Sequence, residues 1–179
     1  MKNRGKLRFA IILFSMIILS PMISLHAQSE GNWQQLPGLA VDIGVGADGS
    51  AWIIGKNKVA GGYGIFQWTG SNWRMIDGGA VRIDVGPDGT VWVVNSNGNI
   101  FRRPPGRGWQ QLSGLAVDIG VGADGSAWVI GKNKVAGGYG IFQWTGSNWR
   151  MIDGGAVEIS VGPDGTPWVV NSNGNIYKR

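Results

Sequence analysis

The chain contains two nearly identical copies of 71 residues, at positions 33–103 and 109–179. The copies differ only at Pro37/Ser113, Ile53/Val129, Arg82/Glu158, Asp84/Ser160, Val91/Pro167, Phe101/Tyr177 and Arg102/Lys178. Each copy is itself double, because a tryptophan recurs at spacings of 40, 36 and 40 residues. These four tryptophans are Trp33, Trp73, Trp109 and Trp149. A repeat of this length is one supersecondary unit that buries its apolar face by stacking on its neighbours.

Each quarter of the repeat is a series of short alternating runs, such as AVDIGVG and AWIIG, separated by turn pairs. The turn pairs are Asp48-Gly49, Asp88-Gly89, Asp124-Gly125, Asp164-Gly165, Asn97-Gly98 and Asn173-Gly174. Pairs of this kind between alternating runs predict β-hairpins with type I′ turns, which need positive φ at both central residues. No segment after residue 27 shows a helical period.

Four strands per quarter without helices predict an all-β fold, a β-propeller of four four-stranded blades. The propeller domain is expected to cover residues 28–179, with repeats at about 31–70, 71–107, 108–146 and 147–179. The last quarter has three predicted strands, and a Trp-led strand at residues 32–36 precedes the first. This N-terminal strand is therefore expected to close the last blade and remove two open edges. Either the ring closes within one chain, or chains close each other as a homo-oligomer.

The N-terminus has the order of a secretory signal peptide. Four basic residues (Lys2, Arg4, Lys6 and Arg8) precede an apolar run over residues 9–25, and Ala27 offers a cleavage site. The interpretation is a signal peptide at residues 1–27 and a secreted or periplasmic protein. The alternative is an uncleaved membrane anchor, although the span is at the short limit for crossing a bilayer.

Composition and charge exclude several classes of function. The chain has a formal charge of +5 with 16 basic and 11 acidic residues, but four of the basic residues lie in the predicted leader. The mature protein is then close to neutral, which gives no reason to expect nucleic acid or, after cleavage, a membrane as partner. The chain has no cysteine, and its one histidine, His26, lies in the leader. Thiolate sites and histidine-based catalysis are thereby excluded, so neither an enzyme nor a cofactor is expected.

A specific pattern runs through the quarters: W-x-x-L-x-G-x-A, then D-I-G-V-G-A-D-G-S-A-W-I-I, then G-x-G-I-F. It resembles the tectonin repeat of the tectonin and tachylectin-type β-propeller lectins, which include fish-egg lectins. The resemblance covers about residues 31–179. It implies a secreted or surface-acting protein that binds glycans, often lipopolysaccharide or methylated sugars, at several sites around the ring.

Comparing the quarters with one another separates scaffold residues from candidate site residues. Tryptophans of the second strand occur in every quarter and are expected in the core: Trp52, Trp92, Trp128 and Trp168. The tryptophans of the outermost strand also occur in every quarter, and are expected to pack at the rim or to contact sugar. Trp68 and Trp144 differ, because Arg103 and Arg179 occupy their place in the even quarters. The scaffold evidently folds around either residue.

The odd quarters also carry a hairpin that is five residues longer, over residues 55–64 and 131–140. A glycan site needs a flat aromatic face for the sugar ring and donors for its hydroxyls. The predicted carbohydrate-binding residues are Trp68, Trp144, Tyr63, Tyr139, Lys56, Lys132, Asn57, Asn133, Asn72 and Asn148. The alternative interpretation is a tolerated surface insertion with solvated lysines.

Two groups of acidic residues lie outside the predicted glycan site. One aspartate per Asp-Gly turn is far from the six to eight oxygens that calcium takes, so no metal site is predicted there. Asp42, Arg82, Asp118 and Glu158 occupy equivalent places on the innermost strands and are expected to face one channel in a closed ring. They are interpreted as solvated ion pairs, with a cation site as the alternative.

Three functions compete on the sequence alone. The first is a multivalent lectin for cell-surface glycans. The second is a protein-interaction or structural propeller, because the fold alone does not decide function. The third is an enzyme, since the P-D-G-T-x-W segments also resemble lyase-type propellers such as virginiamycin B lyase. Those enzymes rely on a metal and a histidine base, whereas the mature chain has no histidine and only Glu30 and Glu158.

Overall fold

The structure is a computed structural model that describes residues 32–179. The predicted signal peptide and the first residues of the predicted domain lie outside the described residues. Within residues 32–179 there are β-strands and no helix, and hence no helix able to span a membrane. The all-β prediction is therefore confirmed for this part of the chain.

Fourteen strands follow one another in the chain. They are β1 (Ala40–Val45), β2 (Ala51–Val59), β3 (Gly62–Trp68), β4 (Trp73–Ala80), β5 (Arg82–Val85), β6 (Val91–Val94), β7 (Asn99–Arg103), β8 (Gln110–Val121), β9 (Ala127–Val135), β10 (Gly138–Trp144), β11 (Trp149–Ala156), β12 (Glu158–Val161), β13 (Pro167–Val170) and β14 (Ile176–Lys178). Consecutive strands pair antiparallel, except that β4 does not pair with β5 and β11 does not pair with β12.

The strands form four antiparallel groups, which we call sheets 1 to 4. Sheet 1 is β1–β4, and sheet 4 is β12–β14. The long strand β8 belongs to two groups: residues 110–115 pair with β7 and complete sheet 2, whereas residues 116–121 pair with β9 and begin sheet 3. Sheet 2 thus contains β5–β7 with the start of β8, and sheet 3 contains the end of β8 with β9–β11.

The core lies between successive sheets, and strand β6 shows why. Its sequence VWVV is buried on both faces. Since side chains alternate across a strand, Val91 and Val93 pack with sheet 1, while Trp92 and Val94 pack with sheet 3. A third cluster joins sheets 3 and 4 around Trp128 and Ile130.

Carboxylates on the innermost strands tie each sheet to the next. The backbone N–H of Ile83 donates to Asp42 Oδ2 at 2.9 Å, that of Val121 to Asp84 Oδ2 at 2.7 Å, and that of Ile159 to Asp118 Oδ2 at 2.8 Å. Each bond runs from one sheet to the following one, and the sheets are therefore held in order by polar contacts as well as by apolar packing.

The hairpins predicted at the Asp-Gly pairs are present, but the type I′ turns are wrong. Within the described residues no residue other than glycine has positive φ, and Gly49 has φ of 81°. Asp48 instead accepts hydrogen bonds from the backbone N–H of Ser50 at 3.0 Å and from its hydroxyl at 2.7 Å. This side-chain turn holds the aspartate on the ordinary side of the Ramachandran plot, so only the glycine is left-handed.

The prediction that an N-terminal strand closes the last blade is wrong for this structure. Residues 32–36 form no strand, and β14 pairs only with β13 among the described residues. Sheet 4 therefore has three strands rather than four. The edge of β14 therefore stays open within the described residues, and all three residues of this strand are exposed.

One of the four inner tryptophans also departs from its predicted core position. Trp52, Trp92 and Trp128 are buried, whereas Trp168 is 46% exposed. Trp92 is covered by sheet 3, but no described sheet covers the corresponding face of sheet 4. Burial of this tryptophan is therefore a property of the junction between sheets and not of the repeat itself.

Candidate functional site

The ten predicted carbohydrate-binding residues fall into two groups at opposite ends of strands β3 and β10. Tyr63 lies at the start of β3, beside the β2–β3 hairpin, whereas Trp68 ends β3 beside the turn that contains Asn72. Trp68 lies five positions after Tyr63 along the strand, or about 16 Å away. The structure therefore does not bring the hairpin group and the tryptophan group into one site.

The hairpin group has structural roles. Tyr63 and Tyr139 are half-buried and pack against the core clusters. The side chain of Asn57 lies against Gly64, and that of Asn133 lies against Gly140, where any added Cβ would collide with the amide. These asparagine side chains pack on the hairpin glycines, and both residues are exposed.

The lysines and the remaining asparagines lie at the surface. Lys132 Nζ donates to the carbonyl of Asn97 at 3.2 Å and so ties the sheet 3 hairpin to a turn of sheet 2. Lys56 is exposed and makes no equivalent bond within residues 32–179. The carbonyls of Asn72 and Asn148 accept hydrogen bonds from Thr69 and Thr145 within their own turns, while their side chains are exposed.

Trp144 lies in an aromatic cluster between sheets 2 and 3. Its ring centroid is 5.0 Å from that of Trp149 and 6.1 Å from that of Trp92. Arg102 places its guanidinium carbon 5.7 Å from the Trp144 centroid, within the range of a cation–π contact. The half-buried indole is thus fixed in position by three neighbours.

Trp144, Trp92 and Arg102 line a cavity of about 470 Å³, which we call the Trp144 cavity. Its walls are Gly86, Pro87, Asp88, Thr90, Trp92, Arg102, Pro104, Gly125 and Trp144. Asp88 is oriented by the backbone N–H of Thr90 at 2.9 Å and by its hydroxyl at 2.8 Å. The cavity combines an aromatic wall, a guanidinium donor and a carboxylate acceptor, the groups needed to hold a polyhydroxylated ring.

The equivalent cavity between sheets 1 and 2 has a different chemistry. It measures about 290 Å³ and contains Arg103 in the place of Trp144. Arg103 Nη1 donates to Asp77 Oδ1 at 2.8 Å, and its guanidinium lies 5.7 Å from the Trp109 centroid. The same junction therefore folds with arginine at this position, which shows that the repeat does not require a tryptophan there.

Sequence reasoning missed Arg102 and Asp88 as neighbours of Trp144. Arg102 is one of the seven positions that differ between the copies, with lysine as its counterpart, and the odd quarters carry Gln67 or Gln143 in that place. This variation in an otherwise fixed sequence was an available signal. Asp88 gave none, because an aspartate occurs in all four turns.

Asp42, Arg82, Asp118 and Glu158 line one further cavity of about 510 Å³, as their equivalent places on the innermost strands predicted. Arg82 Nε lies 3.4 Å from Asp118 Oδ1. Burial raises the pKa of Asp118 to about 6, although the Ile159 N–H and Arg82 favour its charged form. Among residues 32–179 no cluster of three or more metal-ligating side chains occurs.

Asp118 gives the protein a defined pH dependence of stability. The pKa of its carboxyl is 3.8 ordinarily and about 6 in the fold, so the folded state binds the proton more tightly. The contribution of Asp118 to the free energy of unfolding is therefore expected to be fully present below pH 4 and to fall by up to about 3 kcal/mol as pH rises through 6. Burial also raises the pKa of Asp84, which acts in the same direction, whereas hydrogen bonds from Ser50 and Thr166 lower the pKa values of Asp48 and Asp164, which act in the opposite direction. Urea unfolding between pH 3.5 and 7 measures the fall.

The matched variants for this pH dependence are Asp118→Asn and Asp153→Asn. The first removes a buried titrating group and is expected to flatten the profile. The second removes an exposed carboxylate and is expected to show the same pH profile of stability as the parent protein. An Asp118→Asn profile as steep as that of the parent protein would assign the effect to other groups.

Comparison with known families supports the repeat assignment. Residues 22–104 match the Tectonin domain, which confirms the resemblance seen in the repeat pattern. Residues 109–179 repeat most of the matched sequence with the seven substitutions given above. Among curated protein sequences, none matches this chain.

Solved structures resemble the chain in fold at low sequence identity. "YCF48 bound to D1 peptide" has a TM-score of 0.50 and 18% identity, over 78% of this chain and 50% of that one. Regucalcin from Agrobacterium tumefaciens, described as a calcium-binding protein, has a TM-score of 0.52 and 17% identity, over 72% of this chain and 52% of that one. TolB from Acinetobacter baumannii has a TM-score of 0.56 and 14% identity, over 81% of this chain and 44% of that one. The fold is of the β-propeller type, and the chain spans about half the length of these proteins.

Proposed function

We propose that this protein, with its tectonin-type repeats, is an exported lectin that binds cell-surface glycans such as lipopolysaccharide. The observation that carries the proposal is the Trp144 cavity, where Trp144, Arg102 and Asp88 converge. The Tectonin match over residues 22–104 supports a glycan as the ligand class. Export is inferred from the leader sequence, and places the protein outside the cell or in the periplasm.

The chemistry of the Trp144 cavity suits a sugar better than a flat apolar ligand. The indole offers a face for the C–H side of a pyranose ring, while Arg102 donates and Asp88 accepts hydrogen bonds at its hydroxyls. Arg102 also complements the phosphates and carboxylates of an acidic glycan. Since the repeat folds with arginine in place of Trp144, the tryptophan is free to serve binding.

Sheet 1 carries the start of a second such site. Trp68 is the counterpart of Trp144, and its centroid lies 4.9 Å from that of Trp73. In this proposal the four sheets are the blades of a propeller, and the Trp-type sites repeat around it. Two sites that each bind a sugar at about 1 mM, when linked rigidly, raise avidity toward a repetitive polymer by about 10²-fold or more.

The second candidate function is a protein-interaction propeller, in which a protein rather than a glycan is the main ligand. The apolar side chains exposed on sheets 1 and 4 favour it. An enzyme is the least supported function, because residues 32–179 contain no histidine and a single glutamate, Glu158. A binding role without catalysis is therefore the function proposed.

The test of the proposed function is the double variant Trp68→Arg with Trp144→Arg, which copies a residue that the repeat already accommodates. Binding to a surface coated with lipopolysaccharide, or to a glycan array, is expected to weaken by about tenfold or more. The matched control is Met151→Ala, an exposed residue outside the Trp144 cavity, which is expected to bind as the parent does. Unchanged binding by the folded double variant would refute the site assignment, and retention of a protein but of no polysaccharide would favour the alternative.

A further inference from the structure

Sheets 1 and 4 each leave one apolar face uncovered. On sheet 1 the exposed side chains come from β1, where Ile43 and Val45 lie on one face and are 61% and 58% exposed. On sheet 4 they are Trp168 and Ile176, which is 70% exposed. Faces of this kind mark interaction surfaces when they are contiguous.

Both faces are sequence copies of a junction that the protein already forms. Trp168 and Ile176 repeat Trp92 and Ile100, which are 5% and 1% exposed because sheet 3 covers them. The covering residues of sheet 3 on β8 are Ala116, Ile119 and Val121, and β1 repeats them as Ala40, Ile43 and Val45. The exposed face of sheet 1 is therefore the complement of the exposed face of sheet 4.

Strand β8 shows how one segment covers both an edge and a face. Its start pairs with β7 at the edge of sheet 2, and its end enters sheet 3 and packs on sheet 2. Residues 33–45 repeat residues 109–121 with a single difference, Pro37 for Ser113. Strand β14 is the counterpart of β7, but no described strand covers its outer edge, which borders a cavity of about 550 Å³ between sheets 3 and 4.

The polar contacts of the outer strands specify the same fit. Trp109 Nε1, just before β8, donates to the carbonyl of Asp77 at 2.8 Å. By the repeat, the counterpart of this pair is Trp33 with the carbonyl of Asp153, a residue that lines the cavity beside β14. Lys132 donates to Asn97 across the junction of sheets 2 and 3, and its counterpart pair is Lys56 with Asn173.

We propose that a second copy of this chain docks residues 33–45 and its sheet 1 face on the edge and face of sheet 4. The copies associate head to tail, and each junction between them repeats the packing of sheets 2 and 3. The occupant is a second copy because the complementary surface is this chain's own sequence. The surfaces meet as unlike faces, so the interface is heterologous.

Among the polar contacts that differ between this junction and the internal one, two lie on the innermost strands. Arg82 pairs with Asp118 internally, whereas Glu158 faces Asp42 at the junction between copies. Asp84 accepts from the Val121 N–H internally, whereas the shorter Ser160 faces Val45. Like charges disfavour this contact. The association is therefore weaker than the internal packing and reversible.

Association also completes a second aromatic cavity, a consequence that rests on the proposed function. Trp168 and Lys178 of one copy would lie beside Trp68 of the other, as Trp92 and Arg102 lie beside Trp144. Lys178 Nζ already lies 5.2 Å from the Trp168 centroid. The number of complete sugar sites then depends on assembly.

Analytical ultracentrifugation of the exported protein tests the assembly without any glycan, so its failure is separate from failure of the lectin function. The parent protein is expected to sediment as two or more chains. Ile43→Glu and Ile176→Glu, each checked for folding by near-ultraviolet circular dichroism, are expected to sediment as single chains. A mixture of the two variants is expected to restore a two-chain particle, because each retains the face that the other lacks.

Two further variants complete the test. Met75 lies on the same face of sheet 1 as Ile43, but its counterpart Met151 stays 55% exposed at the packed junction of sheets 2 and 3. The Met75→Glu variant is therefore expected to assemble as the parent protein does. Glu158→Arg recreates the Arg82–Asp118 pair and is expected to lower the dissociation constant by about tenfold. A single-chain mass for the parent protein at every concentration, whether from closure within the chain or from open faces, would overturn the proposal. Assembly that survives both glutamate substitutions would overturn it as well.

Discussion

Replacing Trp92 with alanine is expected to lower the free energy of unfolding by about 3–5 kcal/mol. The side chain is 5% exposed, lies edge-on to Trp144 and Trp149, and shares a core cluster with Ile119 and Val129. Its removal leaves a cavity between two sheets whose strands are fixed by hydrogen bonds and relax little. Denaturant unfolding of the variant and the parent protein at one pH measures the loss.

The control for this substitution is Met151→Ala. Met151 lies on the sheet that covers Trp92, but it is exposed, and its truncation is expected to change stability by less than about 0.5 kcal/mol. A loss below about 1 kcal/mol for Trp92→Ala would show that sheets 2 and 3 are not packed around this residue.

Replacing Gly138 with alanine is expected to destabilise the fold by about 3 kcal/mol or more. Gly138 begins β10 with φ of 135°, and a Cβ there would lie 2.5 Å from the carbonyl oxygen of Ala156. The opposing atom is backbone, so it cannot turn aside as a side chain would. Thermal or urea unfolding measures the effect.

Gly146→Ala separates the collision from the backbone conformation. Gly146 also has positive φ, at 97°, but a Cβ there meets no atom within 4 Å. Only the left-handed conformation is penalised, at about 1–2 kcal/mol. Equal losses for the two variants would contradict the close approach of β10 and β11 at Gly138.

The hairpins and the buried tryptophans could be predicted from the sequence because both depend on local signals. Alternation in VWVV places Trp92 on one face and Val93 on the other, and Asp-Gly pairs place the turns. The type I′ conformation predicted for those turns was wrong, because the Asp48 side chain accepts a hydrogen bond from Ser50, which a turn pair alone does not reveal.

The closure and the site depended on non-local geometry. Whether residues 32–36 pair with β14 is decided by where sheets 1 and 4 lie, which no repeat period specifies. The predicted glycan site combined Tyr63 with Trp68, which the structure places at opposite ends of one strand. The two residues are close in sequence, but an extended strand carries them apart.

The central claim is that a glycan binds at Trp144. Its most direct test follows the indole N–H signals of the ten tryptophans by NMR while a glycan that the protein binds is added stepwise. The Trp144→Arg variant assigns the Trp144 signal by its disappearance. The account predicts that the signals of Trp144, Trp92 and Trp149 shift together and saturate with the binding curve. Saturable binding that shifts other indoles and leaves these three unchanged would contradict it.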